Sequence, residues 1–399
     1  MEPAEKETSP PPARRPGVLL GRPFGVPLYL SPSWFLLAIV VTLVYGDVVT
    51  QRRDLSELAG YVVGFGFVVS LAVSVLLHEL GHALTCRRYG IGVRAITLEM
   101  LGGHTEMDRE APRPSAEAAV ALAGPAVSGM LGVLGVGLVM VTPSTLLVSE
   151  LVFQFAVSNV IVAIFNALPG LPLDGGRALR ALIWAATRDP NLGNRVAGWT
   201  GRSVAAGLAA VTVLGWAYGV IGPFGLIFSG MIAMVLWLGA SHAIKAGAVG
   251  ARVGALSVRQ LLRPIARVPS QTPLAEAERR AAEASGRADV AIVVIDSADQ
   301  PVAIVHQAAA AAVPETRRPW VAVESVARTL GPGHTLPVDL AGEAVLRAVQ
   351  ANPADEYLVT SGEEIVGVLR AVDLASHLNA KNNRPNTNRA SSSRAKRNV

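Results

Sequence analysis

Two histidines and a glutamate close a long apolar run: His78-Glu79-Leu80-Gly81-His82 follows the charge-free stretch 58–77. An ionisable side chain at membrane depth costs from about 2.5 kcal/mol upward, so by default it marks function. On a helix, residues four apart share a face, and both imidazoles can meet one metal ion. Glu79, next to the first histidine, can reach a water on that ion without being a ligand. Zinc lowers the pKa of such a water towards about 7, and a carboxylate can take its proton. A catalytic zinc also needs a third protein ligand and an open fourth position. Asp174, in "FNALPGLPLDGGRALR", is the candidate, directly after the fourth apolar run. Pro169 and Pro172 are expected to stop the helix, and Gly175 and Gly176 to let the backbone turn before residues 178–187 resume as helix. That would place Asp174 on an unwound segment at the membrane edge where His78 and His82 lie.

The elements that must position these groups are legible as apolar runs. About half of the 399 residues are hydrophobic, and they are clustered. Crossing a bilayer takes roughly 20 apolar residues in a helix. Charge-free runs of that order cover 24–46, 58–77, 118–149, 151–173 and 203–244, and the last, with "IGPFG" in its middle, is long enough to cross twice. About six spanning helices are expected, all before residue 250. The distribution of Arg and Lys favours a cytoplasmic N-terminus, with Arg14, Arg15, Arg22, Arg87, Arg88, Arg94, Arg109, Arg113, Arg177, Arg180, Arg188 and Arg195 inside. Arg52 and Arg53, beside Asp47, Asp54 and Glu57, are the exceptions. The first run has no small-residue cleavage site after it and reads as a helix rather than a removed signal peptide. The single cysteine, Cys86, excludes an intrachain disulfide and is expected to serve helix packing. Segments 1–22 and 379–399 are Pro-rich and basic-polar respectively and are expected to be unfolded.

"HELGH" in the second span with "NALPGLPLDGG" after the fourth resembles the site-2 proteases, the intramembrane zinc metalloproteases. The likeness is to the bacterial six-helix branch with a C-terminal CBS pair, the group of the sporulation factor protease. The resemblance implies that His78, His82 and Asp174 bind one zinc ion, that Glu79 is the general base, and that Asn166 holds the scissile carbonyl or its oxyanion. "LEMLGGHTEMD" (98–108) looks like the family's membrane-dipping β-hairpin, whose exposed edge could pair with an unwound substrate. His104 in it is either a fourth ligand or a hairpin-tip residue. "ALAGPAVSG" (121–129) matches the family's third span, with Ser128 where an asparagine is often seen. Asn159 and Gln154 are read either as substrate contacts or as interhelical hydrogen bonds.

After about residue 251 the pattern changes to an α/β alternation. "AIVVIDSADQPVAIV" (291–305) aligns on "EYLVTSGEEIVGVL" (356–369), an internal repeat that resembles a tandem CBS pair, about 251–312 and 318–378. Such pairs commonly bind adenine nucleotides. In "GVLRAVD" Asp373 matches the family's ribose-contacting aspartate, although Arg370 replaces the usual Thr or Ser. The first repeat has His306 and Ala309 instead. The alternatives for this half are one ATP or AMP site and a purely structural or dimerising module.

The expectation is an α-helical integral membrane protein followed by a soluble α/β pair: metalloprotease domain 23–250, CBS domains 251–378. The implied activity is regulated intramembrane proteolysis of a single-pass substrate such as a membrane-anchored anti-sigma factor, with the CBS pair cytoplasmic and no direct nucleic-acid contact. Two other readings compete: a CBS-gated ion transporter, and an inactive protease relative.

Overall fold

The computed structural model describes residues 17–100, 102–143, 147–285, 290–331, 333–362 and 364–379. Most of the two terminal segments expected to be unfolded, 1–16 and 380–399, lies outside the described residues. The chain divides into two compact units, residues 1–248 and 249–399.

The first unit opens with strands, where a disordered lead into an early helix was expected. β1 (Val18–Gly21) pairs antiparallel with β2 (Leu28–Leu30), and the turn between them uses positive φ at Phe24 and Gly25. Helix α1 (Pro32–Arg53) therefore starts well after residue 24. The Ser31 hydroxyl caps it by accepting the Ser33 N–H, and Pro32 fits the first helical position. A second serine, Ser56, caps α2 (Glu57–Arg88), which at about 1.5 Å per residue is some 48 Å long. β3 (Val93–Glu99) and β4 (Gly102–Met107) form an antiparallel hairpin, and β2 joins β3 in parallel, so the sheet order is β1-β2-β3-β4. Helices α3 (Pro114–Val141), α4 (Val148–Asn166), α5 (Asp174–Thr187), α6 (Pro190–Ala217) and α7 (Pro223–Gly254) follow.

By length and composition, α1, α2, α3, α4 and α7 are apolar enough to cross a membrane. The sixth long helix, α6, carries Arg195 and Arg202 in its first half, which leaves only residues 203–217 free of charge. α2 sits centrally, packed on α1, α3 and α4, while α5 lies against α3 and α6. The α4–α5 connection is wedged into α6 and α7. The Leu171 N–H donates to the Ala197 carbonyl at 3.0 Å. A Cβ on Gly201 would fall 1.9 Å from the Leu171 carbonyl oxygen, and one on Gly239 would fall 2.7 Å from Pro172.

The second unit begins with α8 (Val258–Leu261). It continues with β5 (Ile265–Pro269), α9 (Leu274–Ser285), β6 (Ala291–Ile295), β7 (Pro301–Val305), α10 (Gln307–Ala312) and β8 (Ala327–Thr329). Then come β9 (Thr335–Pro337), α11 (Glu343–Ala351), β10 (Glu356–Ser361), β11 (Glu364–Arg370) and α12 (Ala371–Asn379). In both halves a strand, a helix, a parallel strand and an antiparallel strand follow in order, as the likeness to a CBS pair implies. The apolar cores run across the expected division at about 312 and 318. Leu256 and Val258 are buried in the second core with Leu336, Tyr357 and Leu369, whereas Val323 and Val326 complete the first core and β8 pairs with β7. Each half thus takes part of its apolar core from chain that precedes or follows it, and a strict tandem split would expose those residues.

The wedge yields a test. Gly201→Ala should lower stability by about 1–3 kcal/mol through overpacking. Gly207→Ala, with nothing within 4 Å of its Cβ, should be neutral or slightly stabilising. Thermal unfolding of both variants in detergent checks the contrast.

Candidate metal centre

His78, Glu79 and His82 lie inside α2, which continues to Arg88, and all three are buried. Helix α3 fixes both imidazoles from one side. His78 Nδ1 and the Ser128 hydroxyl share a hydrogen bond of 2.9 Å, and His82 Nδ1 donates to the Val120 carbonyl at 2.7 Å. A carbonyl oxygen only accepts, so His82 carries its proton on Nδ1 and, when neutral, presents a bare Nε2. Gly124 lies between these two contacts on α3. A Cβ there would stand 2.2 Å from His82 Nε2 and 2.6 Å from His78 Nε2. The space in front of both nitrogens exists because residue 124 has no side chain.

Asp174 enters that space. Its Oδ2 lies 3.0 Å from His78 Nε2 and 3.2 Å from His82 Nε2, and the two nitrogens are 3.3 Å apart. Ligand atoms about 2.0–2.1 Å from a tetrahedral ion stand roughly 3.3 Å from each other. The triangle therefore has the dimensions of one face of such a site, and among the described residues these are the only three that could jointly hold a metal ion. The local backbone differs from expectation. Asp174 is the first residue of α5, not part of an unwound segment, and helix resumes at once rather than at residue 178. The two glycines serve close packing: a Cβ on Gly175 would fall 2.3 Å from the Ala167 carbonyl oxygen, and one on Gly176 would fall 2.2 Å from Leu171 N. A helix start also favours an anionic side chain.

One turn further, Arg177 and Arg180 both reach Glu117 of α3, at 3.4 and 3.2 Å, and Arg180 also meets Glu110 at 3.2 Å. Glu117 is buried, and such a carboxylate is tolerated only when paired. This ion cluster sets how α5 is rotated against α3, and so where Asp174 points. The charged sequence around 110–117 was read only for topology, so its structural use went unnoticed.

Glu79 stands beside the triangle. Its Oε2 accepts from the Thr105 hydroxyl at 2.7 Å, and a Cβ on Gly103 would fall 2.7 Å from Glu79 Cγ. Strand β4 thus lies over the glutamate with alternate residues facing it. His104 is on the opposite face, exposed and 3.6 Å from Glu99, so the fourth-ligand reading of His104 does not hold. Thr105 was missed; the period of two counted from Gly103 would have found it. Ser128, left without a role by the sequence, holds His78.

Asn166 is the last residue of α4, half-buried, and among the described residues its side chain hydrogen-bonds no other group. Asn159 donates to Ser74 Oγ at 2.9 Å and Gln154 to the Tyr45 hydroxyl at 2.6 Å, both between helices. Near Gln154, Arg53 of α1 pairs with Glu150 of α4 at 2.6 Å. Cys86 is fully buried among Ile91, Ala116 and Val120.

In the second unit Asp373 forms a two-pronged ion pair with Arg263, at 2.6 and 2.9 Å. His306 caps α10 by accepting the Ala309 N–H. A cavity of about 320 Å³ is lined by Arg263, Glu278, Gln307, Glu356 and Arg370 among others. Burial pushes the Glu356 carboxyl up, and Arg370 opposes that shift.

Residues 66–154 and 142–208 match the profile of peptidase family M50. A protein of Synechocystis, named for a proposed zinc metalloprotease activity, is 35% identical over 214 residues, 53% of this chain and 53% of that protein. Rip3 of Mycobacterium tuberculosis, named in the same way, is 37% identical over 175 residues, 43% of this chain and 44% of that protein. The chain thus spans about half the length of these relatives. The solved site-2 protease of Methanocaldococcus jannaschii aligns over 57% of this chain and 94% of its own, with 23% identity and a TM-score of 0.42.

Gly124→Ala should fill the space before the two Nε2 atoms and abolish metal retention, while Gly137→Ala, which meets nothing within 4 Å, should leave it intact. Ser128→Ala should weaken metal affinity by about 10–100-fold. Metal content per purified chain, measured by mass spectrometry, reads all three.

Proposed function

We propose that this chain is an intramembrane zinc endopeptidase of the site-2 protease type, a reading supported by the match of residues 66–208 to peptidase family M50. The observation that carries the reading is the triangle of His78 Nε2, His82 Nε2 and Asp174 Oδ2, 3.0–3.3 Å on a side, with Glu79 next to it. A lone pair on neutral His82 and a carboxylate oxygen at these distances repel each other unless a proton or a metal ion lies between them. Two imidazoles and one carboxylate are a donor set suited to zinc.

Zinc held there supplies Lewis acidity, polarising a peptide carbonyl and acidifying a water. The protein does the rest. Glu79, held at one oxygen by Thr105, takes a proton from the attacking water and returns it to the leaving amide nitrogen. The water oxygen bonds to the carbonyl carbon, and the carbon–nitrogen bond breaks. The Asn166 amide, with no hydrogen-bond partner among the described residues, is placed to donate to the oxyanion that develops on the carbonyl. A substrate helix has its carbonyls already hydrogen-bonded and must unwind locally first. The same reading makes the natural substrates single-pass membrane proteins cut in regulated intramembrane proteolysis, such as anchored anti-sigma factors. It places the N-terminus and the second unit in the cytoplasm, following the basic residues. A transporter would not require a carboxylate placed beside the ligand set, and an inactive relative would not require all four groups.

For the second unit we infer a phosphate-bearing ligand, an adenine nucleotide such as ATP or AMP, in the cavity lined by Arg263 and Arg370. Arg263 already grips Asp373 through one N–H on each oxygen, which leaves lone pairs on both to accept a ribose hydroxyl. The unit is also the surface through which a homodimer would form.

Two experiments test these readings. With a reconstituted single-span substrate, Glu79→Gln should keep its zinc but lose about 10²–10⁴-fold in cleavage rate, and Asn166→Ala should lose about 10²–10³-fold. Cleavage undiminished in Glu79→Gln would end the proposed mechanism. Calorimetric titration of the full chain with ATP should show binding that Arg370→Gln weakens about tenfold, for one charge-assisted contact worth roughly 1.4 kcal/mol. Heat from neither ATP nor AMP would reduce the unit to a structural module.

A further inference from the structure

Away from the ligand triangle, α6 and α7 present two stripes to each other. Arg195, Trp199 and Arg202 share one face of α6, and Trp237, Ser241 and Lys245 share one face of α7. The Arg202 guanidinium lies against both indoles, 4.9 Å from the Trp199 ring centre and 5.0 Å from that of Trp237. Its Nε and Nη2 both donate to Ser241 Oγ, at 3.2 and 2.9 Å. The groups that hold this cation, two indoles and a hydroxyl, are therefore all uncharged. The remaining nitrogen, Nη1, makes no hydrogen bond to the described residues and is not buried. Arg195 and Lys245, both exposed, likewise have no carboxylate within ion-pair range among the described residues.

A strip of unpaired cations on a membrane domain needs an anion or water. Trp199 and Trp237 remain 58% and 45% exposed, and exposed tryptophans with arginine mark the headgroup level of a bilayer. The open edge of a guanidinium matches the oxygens of a phosphate, and indole surfaces suit a lipid's glycerol and upper acyl chain. We propose that Arg202, flanked by Arg195 and Lys245, binds the phosphate of an anionic phospholipid. The shared chemistry is a phosphate; the exposed indoles point to lipid rather than a free ion as its source. Gly201, the residue before Arg202, backs onto the Leu171 carbonyl in the loop that leads to Asp174. A lipid held here therefore braces α6 and α7 behind that loop. The site does not depend on the peptidase reading and survives if that reading fails.

The test is native mass spectrometry of the full chain released from nanodiscs of phosphatidylcholine alone or mixed with phosphatidylglycerol. The wild type should retain phosphatidylglycerol in preference to phosphatidylcholine, and Arg202→Gln should weaken that retention roughly fivefold. Because Arg202 also packs two helices, the exposed pair Arg195→Gln with Lys245→Gln serves as a second variant and should shift retention the same way. Retention of both lipids alike by the wild type, or unchanged retention in both variants, overturns the proposal. Full displacement of the lipid by inorganic phosphate would also overturn it, by assigning the site to a small anion.

Discussion

The arrangement of the membrane domain depends on one constraint. Two imidazole nitrogens and a carboxylate oxygen must converge inside a packed helical bundle without a side chain coming between them. Buried groups of this kind repel, or cost the full price of desolvation, unless a cation joins them. Gly124 makes the room, and the α3 residues on either side of it set the two rings. The Val120 carbonyl decides which nitrogen of His82 carries the proton, and Ser128 orients His78. α3 thus acts as the template against which the histidine face of α2 is held.

Asp174 arrives from a separate part of the chain, and its delivery uses both packing and charge. Residues 167–173 fold tightly against the start of α5, at distances that a Cβ on Gly175 or Gly176 would forbid. The same loop is seated in α6 and α7 through Gly201 and Gly239. Beyond it, the buried Glu117 clamps Arg177 and Arg180, so α5 cannot rotate without breaking two ion pairs in a poorly hydrated place. Strand β4 completes the centre by lying over Glu79. Helix packing, loop packing and one ion cluster therefore specify a single geometry together.

Much of this was legible in the sequence, for identifiable reasons. Spacing on a helix is rigid, so His78 and His82 could be paired from position alone. The apolar runs marked the long helices because hydrophobic length is a one-dimensional property. What the sequence hid were relations between segments. The Gly124 contact, the bond from Thr105 to Glu79 and the Glu117 cluster all join residues about 25 to 70 positions apart, and no local pattern encodes them. The glycines after Asp174 were read as turn-makers because local propensity says so, whereas tertiary contact explains them. The same holds for Leu256 and Val323, whose burial across the repeat boundary a linear alignment could not reveal; the Ser31 cap, by contrast, is a local signal two residues from the N–H it accepts.

If Asp174 completes a zinc site built by His78 and His82, zinc per chain, measured on detergent-purified wild type and on Asp174→Asn, should be about one in the wild type and clearly reduced in the variant, since three ligands define such a site. A wild type without zinc, or a variant that keeps its full complement, would contradict that assignment.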